Sequence, residues 1–336
     1  MPQSHPPALI AMCLVLLTSL SSPPSRAQTT DEKSRPSGPP IQKEDIPQAP
    51  ALPSWSISED ARTLIANALK TGNYELAENT LTKLVEQYPK SPHILTFLAR
   101  IFLMDNKPLN CSIAMKKAER VESLKEPDQF TLALCFVGMR KTDWASEEFV
   151  KLAQSNPKNA LYPYWQGRIA YDNYAFESAV EKFNKALELD PGFTRAYDNL
   201  GLCYEGMSNN ELALKYYERA VDLNRKQSPA SPWPPLNYGT LLLRQGALDQ
   251  AEPVLRESVA LGPRLPQTHH QLGILLGKQK RFTDAADELK KAIELDPTYP
   301  EAHFTLAHVY RQLGEPARAE AELSIFQKLK QAPSQK

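Results

Sequence analysis

The sequence predicts an all-α solenoid of about eight helix–turn–helix units, and three independent residue phases predict it. Pro89, Pro157, Pro191, Pro263 and Pro297 share one thirty-four-residue phase once a four-residue insertion after Arg225 is allowed. Gly167, Gly201, Gly239 and Gly273 hold a second phase, and Ala77, Ala145, Ala179, Ala213, Ala251, Ala285 and Ala319 hold a third. A fixed period of this length means stacked units that bury their apolar faces only against their neighbours.

The chain opens on a different pattern. Ala8 to Leu20 is an apolar stretch of thirteen residues, too short for a bilayer span, which takes about twenty. Ser25-Arg26-Ala27 follows it, so residues 1–27 are expected to be a secretory signal cleaved after Ala27. No Lys or Arg precedes the stretch, which keeps an uncleaved membrane anchor as the alternative. A lipid on Cys13 is disfavoured, because Met12 suits that processing badly and most of the apolar stretch follows it. Residues 28–57 carry Pro36, Pro39, Pro40, Pro47, Pro50 and Pro53 among polar residues. Such a run buries too little apolar surface to order itself, so a disordered linker is expected. Signal and tether together point to an exported, periplasmic protein.

Units start near 58, 92, 126, 160, 194, 232, 266 and 300, giving a solenoid over 58–332 and a tail at 333–336. The fifth unit shows the design. Tyr197, Leu200, Gly201 and Tyr204 recur at spacings of three and four, one face of a first helix; Ala213, Tyr217 and Ala220 do the same for a second. Gly206 to Asn210 between them is a run of turn formers. Gly201 and Ala213 let two backbones approach, and the tyrosines fill the space around them. Asp190-Pro191 and Asp296-Pro297 stop second helices. Pro229, Pro232, Pro234 and Pro235 surround Trp233 in the insertion, so a rigid loop is expected from Lys226 to Pro235. In the last unit, Leu323, Phe326 and Leu329 recur at three-residue spacing with no room for a capping helix after them, which predicts a sticky docking edge.

These residues resemble the tetratricopeptide repeat, whose signature is an aromatic at position 4, Leu-Gly at 7 and 8, Tyr at 11, Ala at 20, an aromatic at 24, Ala at 27 and Pro at 32. The fifth unit matches with Leu200-Gly201, Tyr204, Ala213, Tyr217 and Ala220, and the seventh with Leu272-Gly273, Ala285, Leu289, Ala292 and Pro297. The second is weakest, with Cys111 for the Ala and Ser123 for the Pro. The resemblance implies a right-handed superhelical solenoid whose first helices line a concave groove through positions 2, 5, 6, 9, 12 and 13. Those positions give Tyr164, Trp165, Arg168 and Tyr171 in the fourth unit, flanked by Phe130, Arg195 and Asn199, with Phe97 and Arg100 further back. Aromatic and Arg character is typical of binding hot spots. Trp165 is therefore expected to anchor a ligand without supporting the fold. The family's clamp for C-terminal carboxylates is not matched, because Asp198 and Leu202 stand where Lys and Asn are needed.

Lys and Arg total 39, as do Asp and Glu, so no net field draws nucleic acid or an anionic membrane. No phosphate-cradling loop, nucleophile elbow or zinc-protease pair is present. His269 and His303 replace the aromatic at position 4; His270 and His308 are placed towards the groove. Five residues put His303 and His308 about 140° apart on a helix, ruling out joint chelation. Cys111, Cys135 and Cys203 are expected as small buried thiols, with a Cys111–Cys135 bridge as the alternative in an oxidising compartment. The reading is a non-enzymatic scaffold for an extended peptide or protein, without cofactor, metal, nucleic acid or small-molecule substrate. The alternative is an envelope assembly factor that docks or self-associates through its C-terminal edge.

Overall fold

The computed structural model describes residues 41, 45–47 and 58–331. The predicted signal, most of the linker and the tail lie outside the described residues. Sixteen helices and no strand are present among the described residues, arranged as eight antiparallel pairs. They are α1 (Glu59–Thr71) with α2 (Tyr74–Gln87), α3 (Pro92–Met104) with α4 (Pro108–Glu119), α5 (Glu126–Gly138) with α6 (Thr142–Ser155), and α7 (Leu161–Asp172) with α8 (Phe176–Leu189). There follow α9 (Thr194–Gly206) with α10 (Asn210–Asn224), α11 (Trp233–Arg244) with α12 (Leu248–Leu261), α13 (Pro266–Lys278) with α14 (Phe282–Leu295), and α15 (Pro300–Gln312) with α16 (Pro316–Gln331). Each helix packs on the next, and first helices also touch the first helix of the following unit, as α7 touches α9 and α11 touches α13. The fold is an all-α superhelical repeat with the first helices as its inner layer.

Local sequence explains the helix ends. The side chains of Ser58, Asn73, Ser91 and Asn209 accept from backbone N–H groups of the turn they open, as N-caps do. Pro92, Pro108, Pro266 and Pro300 each stand in a first turn, where a missing N–H costs nothing. The connection inside every pair passes through a left-handed residue: Gly72, Asn106, Arg140, Tyr174, Ser208, Gly246, Lys280 and Gly314. These eight keep the thirty-four-residue step, interrupted once by the insertion.

The closest approach within a pair is made at position 8. A Cβ on Gly201 would overlap Tyr217. At Gly167, Gly239 and Gly273 it would lie 2.7 Å from Phe183, Leu255 and Leu289 respectively. Each of these partners is the position-24 residue of the same unit. The buried apolar side chains form three clusters that share Phe102 and Met104 at one junction and Leu214 and Tyr238 at the other.

Two expectations are corrected. The insertion loop ends earlier than expected, because α11 begins at Trp233 and takes Pro234 and Pro235 into its first turn. Asn224, fully buried, closes the loop by exchanging two 2.8 Å hydrogen bonds with the Ser231 backbone, and Trp233 is half-buried against the neighbouring apolar cluster. Cys111 and Cys135 are joined in a disulfide, Cα atoms 5.9 Å apart, because successive units bring α4 against α5; Cys203 is buried and free.

Gly201→Leu forces α9 off the Tyr217 ring. It is expected to lose stability at the upper end of the about 1–3 kcal/mol typical of overpacking, read as a lower thermal midpoint by circular dichroism. An unchanged midpoint would remove Gly201 from the packing argument.

Candidate functional site

The inner layer of units three to five gathers the expected groove residues. From α7, Trp165 stacks parallel to Phe149 of α6 with ring centres 6.2 Å apart and meets Tyr164 edge-on at 5.7 Å. The Arg168 guanidinium lies 5.8 Å from the Trp165 ring. From α9, Arg195 lies over Tyr164 at 5.0 Å and over Phe193 at 5.3 Å. Asn199 donates from Nδ2 to the Arg195 carbonyl at 2.8 Å. Phe130 of α5 packs against Phe149 and Tyr162. One unit back, Arg100 donates to Asp128 at 2.7 Å across two units, beside a cavity of about 250 Å³, and Phe97 joins the core of the first two units.

These residues are not an open surface. Phe97, Arg100, Phe130, Tyr164, Trp165, Arg168, Tyr171 and Asn199 are all buried, Trp165 to 1% exposure; only Arg195, with 26% of its side chain exposed, keeps an open face. The expectation that Trp165 contributes nothing to the fold is therefore corrected. Its ring sits between Phe149 and Tyr164 because α7 packs on α6 and the aromatic edges interlock there.

The protein's own chain lies on this site. Asp45 and Ile46 are 4% and 7% exposed, although both come from the run predicted to be a disordered tether. Asp45 accepts a hydrogen bond from Arg195, 150 residues away in sequence, and its charge reaches Arg168. Ile46 is part of the same buried cluster as Tyr164, Trp165 and Leu202, and Ile41 packs against that cluster near Gly138. Sequence reading missed these groove-facing residues. The available signal was an Asp-Ile step in a polar proline run, opposite two groove arginines.

A buried carboxylate lies under this site. Both carboxylate oxygens of Asp198 on α9 accept from Asn237 Nδ2, at 3.1 and 3.0 Å. Burial pushes its carboxyl up to about 7, against the opposing pull of Asn237 and the Arg168 charge, with Glu205 adding to the rise. Glu205 itself accepts from Tyr217 at 3.0 Å and pairs with Arg244 at 2.6 Å.

Towards the C-terminus the inner layer opens. Phe304 and His308 occupy positions 5 and 9 of the last unit and are exposed, Phe304 to 42%, with their rings 4.5 Å apart. His270, expected to face the groove, is instead buried between Tyr299 and Thr305 at 3.0 and 3.1 Å, and burial pushes it down to about 4. His269 and His303 each place Nδ1 on a Glu (Glu288, Glu322) and Nε2 on the carbonyl of a Pro (Pro263, Pro297). At the far edge, Leu323, Phe326 and Leu329 are half-buried on α16, with Phe326 5.0 Å from Phe304. Among the described residues no three His, Cys, Asp or Glu side chains converge on a metal site, and no helix is long and apolar enough to cross a membrane.

Four family models match: tetratricopeptide repeat over 194–227, 232–257 and 278–330, and Iml2/tetratricopeptide repeat protein 39 over 54–194. The type IV pilus assembly protein PilF of Pseudomonas aeruginosa is 26% identical over 128 residues, covering 38% of this chain and 51% of PilF. The chain thus spans about half the length of that relative. The crystal structure of yeast Tom70 superposes with a TM-score of 0.62 at 19% identity, covering 86% of this chain and 64% of that one. A tetratricopeptide repeat protein from Parabacteroides merdae gives 0.58 at 16% identity, covering 75% and 98%. At these identities the structures report the fold.

Two outcomes follow from the burial. Trp165→Ala leaves a cavity between Phe149 and Tyr164 and is expected to cost about 3–5 kcal/mol, measured by denaturant unfolding; a loss under about 1 kcal/mol would return Trp165 to the surface. Asp198→Asn tests the buried carboxyl. A folded-state value near 7 lies above the unfolded value, so this group's contribution is fully present below about pH 4 and is lost as pH rises through 7. The variant's thermal midpoint is therefore expected to gain on the parent by several degrees between pH 5 and pH 8. A gap constant with pH would show that Asp198 stays ionised.

Proposed function

The chain is a tetratricopeptide-repeat protein, and from that premise we propose that it is an exported, non-enzymatic scaffold capturing an extended peptide or partner protein in its concave groove. Proteins of this family bind protein or peptide partners. The observation that carries the reading is the inner layer of units three to five, where aromatic rings and Arg168 and Arg195 hold a stretch of chain distant in sequence. A rigid face of this kind binds without ordering cost of its own. Arg195, with its open edge, is the first residue a ligand meets; Tyr164, Trp165 and Asn199 shape the floor beneath. Periplasmic export rests on residues 1–27 and on the similarity to a type IV pilus assembly protein.

A second reading has its own observation. Phe304 and Ile325 are 42% and 38% exposed at the last unit, and Leu323, Phe326 and Leu329 are half-buried beside them on α16. An apolar edge of this kind suits an assembly factor that docks or self-associates, and PilF carries the name of a pilus assembly protein.

The two are separated by capture from envelope extract with the full chain, Arg195→Glu and Phe326→Glu. Loss of the captured partner with Arg195→Glu alone is expected. Loss with Phe326→Glu alone, together with a fall in mass by light scattering, would transfer the function to the edge. Undiminished capture by both variants would overturn both readings.

A further inference from the structure

The concave face is closed in units three to five and open in unit eight, although the same repeat positions line it. Tyr164 and Arg168 stand at positions 5 and 9 of their unit and are buried; Phe304 and His308 stand at 5 and 9 of the last unit and are exposed. What lies on the closed part, among the described residues, is Asp45 with Ile46, and Ile41 at its margin. Their surrounding sequence is polar and rich in proline, a composition that holds no fold of its own. The two buried residues are therefore held by the groove.

The contact has the chemistry of a recognised ligand. Asp45 brings one negative charge to a place where Arg195 donates to it and Arg168 stands within reach of its field. Arg195 is fixed from behind by Tyr164 and Phe193, so its fork is pre-organised. Ile46 supplies a branched aliphatic group to the aromatic cluster beside it. The site is also unsaturated. Among the described residues, Trp165 Nε1 and Asn199 Oδ1 are both buried without a hydrogen-bond partner, one a donor and one an acceptor. A peptide backbone offers a carbonyl to the first and an N–H to the second. The tethered residues leave both unmade, so a ligand that makes them has an advantage over the resident chain.

We infer that this face is a binding site for a peptide bearing an acidic residue followed directly by a branched aliphatic one, and that the protein's own Asp45–Ile46 step occupies it as a tethered stand-in which the partner displaces. The inference rests on the capture reading above and specifies its ligand. Covalent attachment makes the resident step an intramolecular competitor with a raised effective concentration. A free peptide therefore meets a competitor whenever the resident step is intact.

The test uses the full chain and a fluorescein-labelled decapeptide copying residues 41–50, Ile-Gln-Lys-Glu-Asp-Ile-Pro-Gln-Ala-Pro, read by fluorescence polarisation. Two released chains are compared with the parent: Asp45→Ala with Ile46→Ala, and Asp45→Arg alone, which sets like charge against Arg168 and Arg195 while keeping Ile46. Circular dichroism checks that each retains its helical content. Both released chains are expected to bind the decapeptide at least tenfold more tightly than the parent. Adding Arg195→Glu to a released chain is expected to abolish that gain, as is replacing the decapeptide's Asp by Asn and its Ile by Ser. A folded released chain with affinity no better than the parent would overturn the inference, making the segment a structural strut. Should the decapeptide fail while Arg195-dependent capture from envelope extract persists, the ligand chemistry falls and the scaffold reading stands. Should the decapeptide bind as expected while envelope capture ignores Arg195→Glu, the site stands and the scaffold reading falls.

Discussion

The architecture depends on one recurring contact, a position with no side chain on a first helix pressed against a large side chain on the second. Gly167 faces Phe183, Gly201 faces Tyr217, Gly239 faces Leu255 and Gly273 faces Leu289. Interiors are packed too densely to absorb an added methylene cheaply, so this contact sets the distance between the two helices and their rotation about each other. Rotation decides which residues of the first helix turn inward. The groove is thus specified indirectly: Tyr164, Arg168 and Asn199 arrive where they do because Gly167 and Gly201 have locked α7 and α9 against their partners. Units are then joined by contacts that also repeat. Lys107 reaches Glu78 at 2.7 Å and Arg281 reaches Glu252 at 2.9 Å from equivalent positions. In each pair a half-exposed cation from one unit meets a more buried Glu of the unit before it.

Two histidines show how the repeat reuses a polar device. At His269 and His303, Nε2 faces a carbonyl oxygen and so must donate, while Nδ1 faces a carboxylate. At His269 the doubly donating imidazolium fits both partners at once. The Glu288 hydrogen bond raises the His269 value above its ordinary level, so its contribution is complete below the unfolded value and fades as pH rises through the folded one. Asp198 shifts in the same direction for a different reason, burial beneath the groove. Both groups favour the protonated molecule, one through a gained partner and one through lost water.

Legibility followed the chemistry of each feature. The pair-forming phases could be read because packing favours small residues at positions 8 and 20 in every unit but the first, where Ile65 stands at 8, and because the recurring prolines fall just past the second helices. The turn inside each pair has an equally strict phase, yet Arg140, Tyr174 and Lys280 occupy it beside Gly72, Gly246 and Gly314. A left-handed residue costs about 1–2 kcal/mol, which a well-packed pair tolerates, so the conformation leaves no residue signature. Repeat position placed Tyr164, Trp165, Arg168 and Arg195 on the first helices of two successive units, and the structure packs these side chains against one another. Their burial was not legible, since it comes from rings that interlock across neighbouring helices and, at Arg195, from Asp45, which arrives from another part of the chain. The Cys111–Cys135 bridge was open for the same reason, resting on how α4 meets α5 across twenty-four residues.

Specificity and availability are handled by different parts of this molecule. The inner layer is rigid: its rings interlock, its arginines are stacked, and its floor is continuous with the core. A surface of that kind discriminates by shape and charge without rearranging. Its accessibility depends on residues attached through a proline-rich run whose composition resists folding. A competitor held on a tether lowers the apparent affinity of every ligand by the same factor while leaving their ranking unchanged. Sequence changes in the tether can therefore adjust how readily the groove is occupied without altering the packed units. The reverse does not hold, because any change to Tyr164 or Trp165 alters ligand and core together.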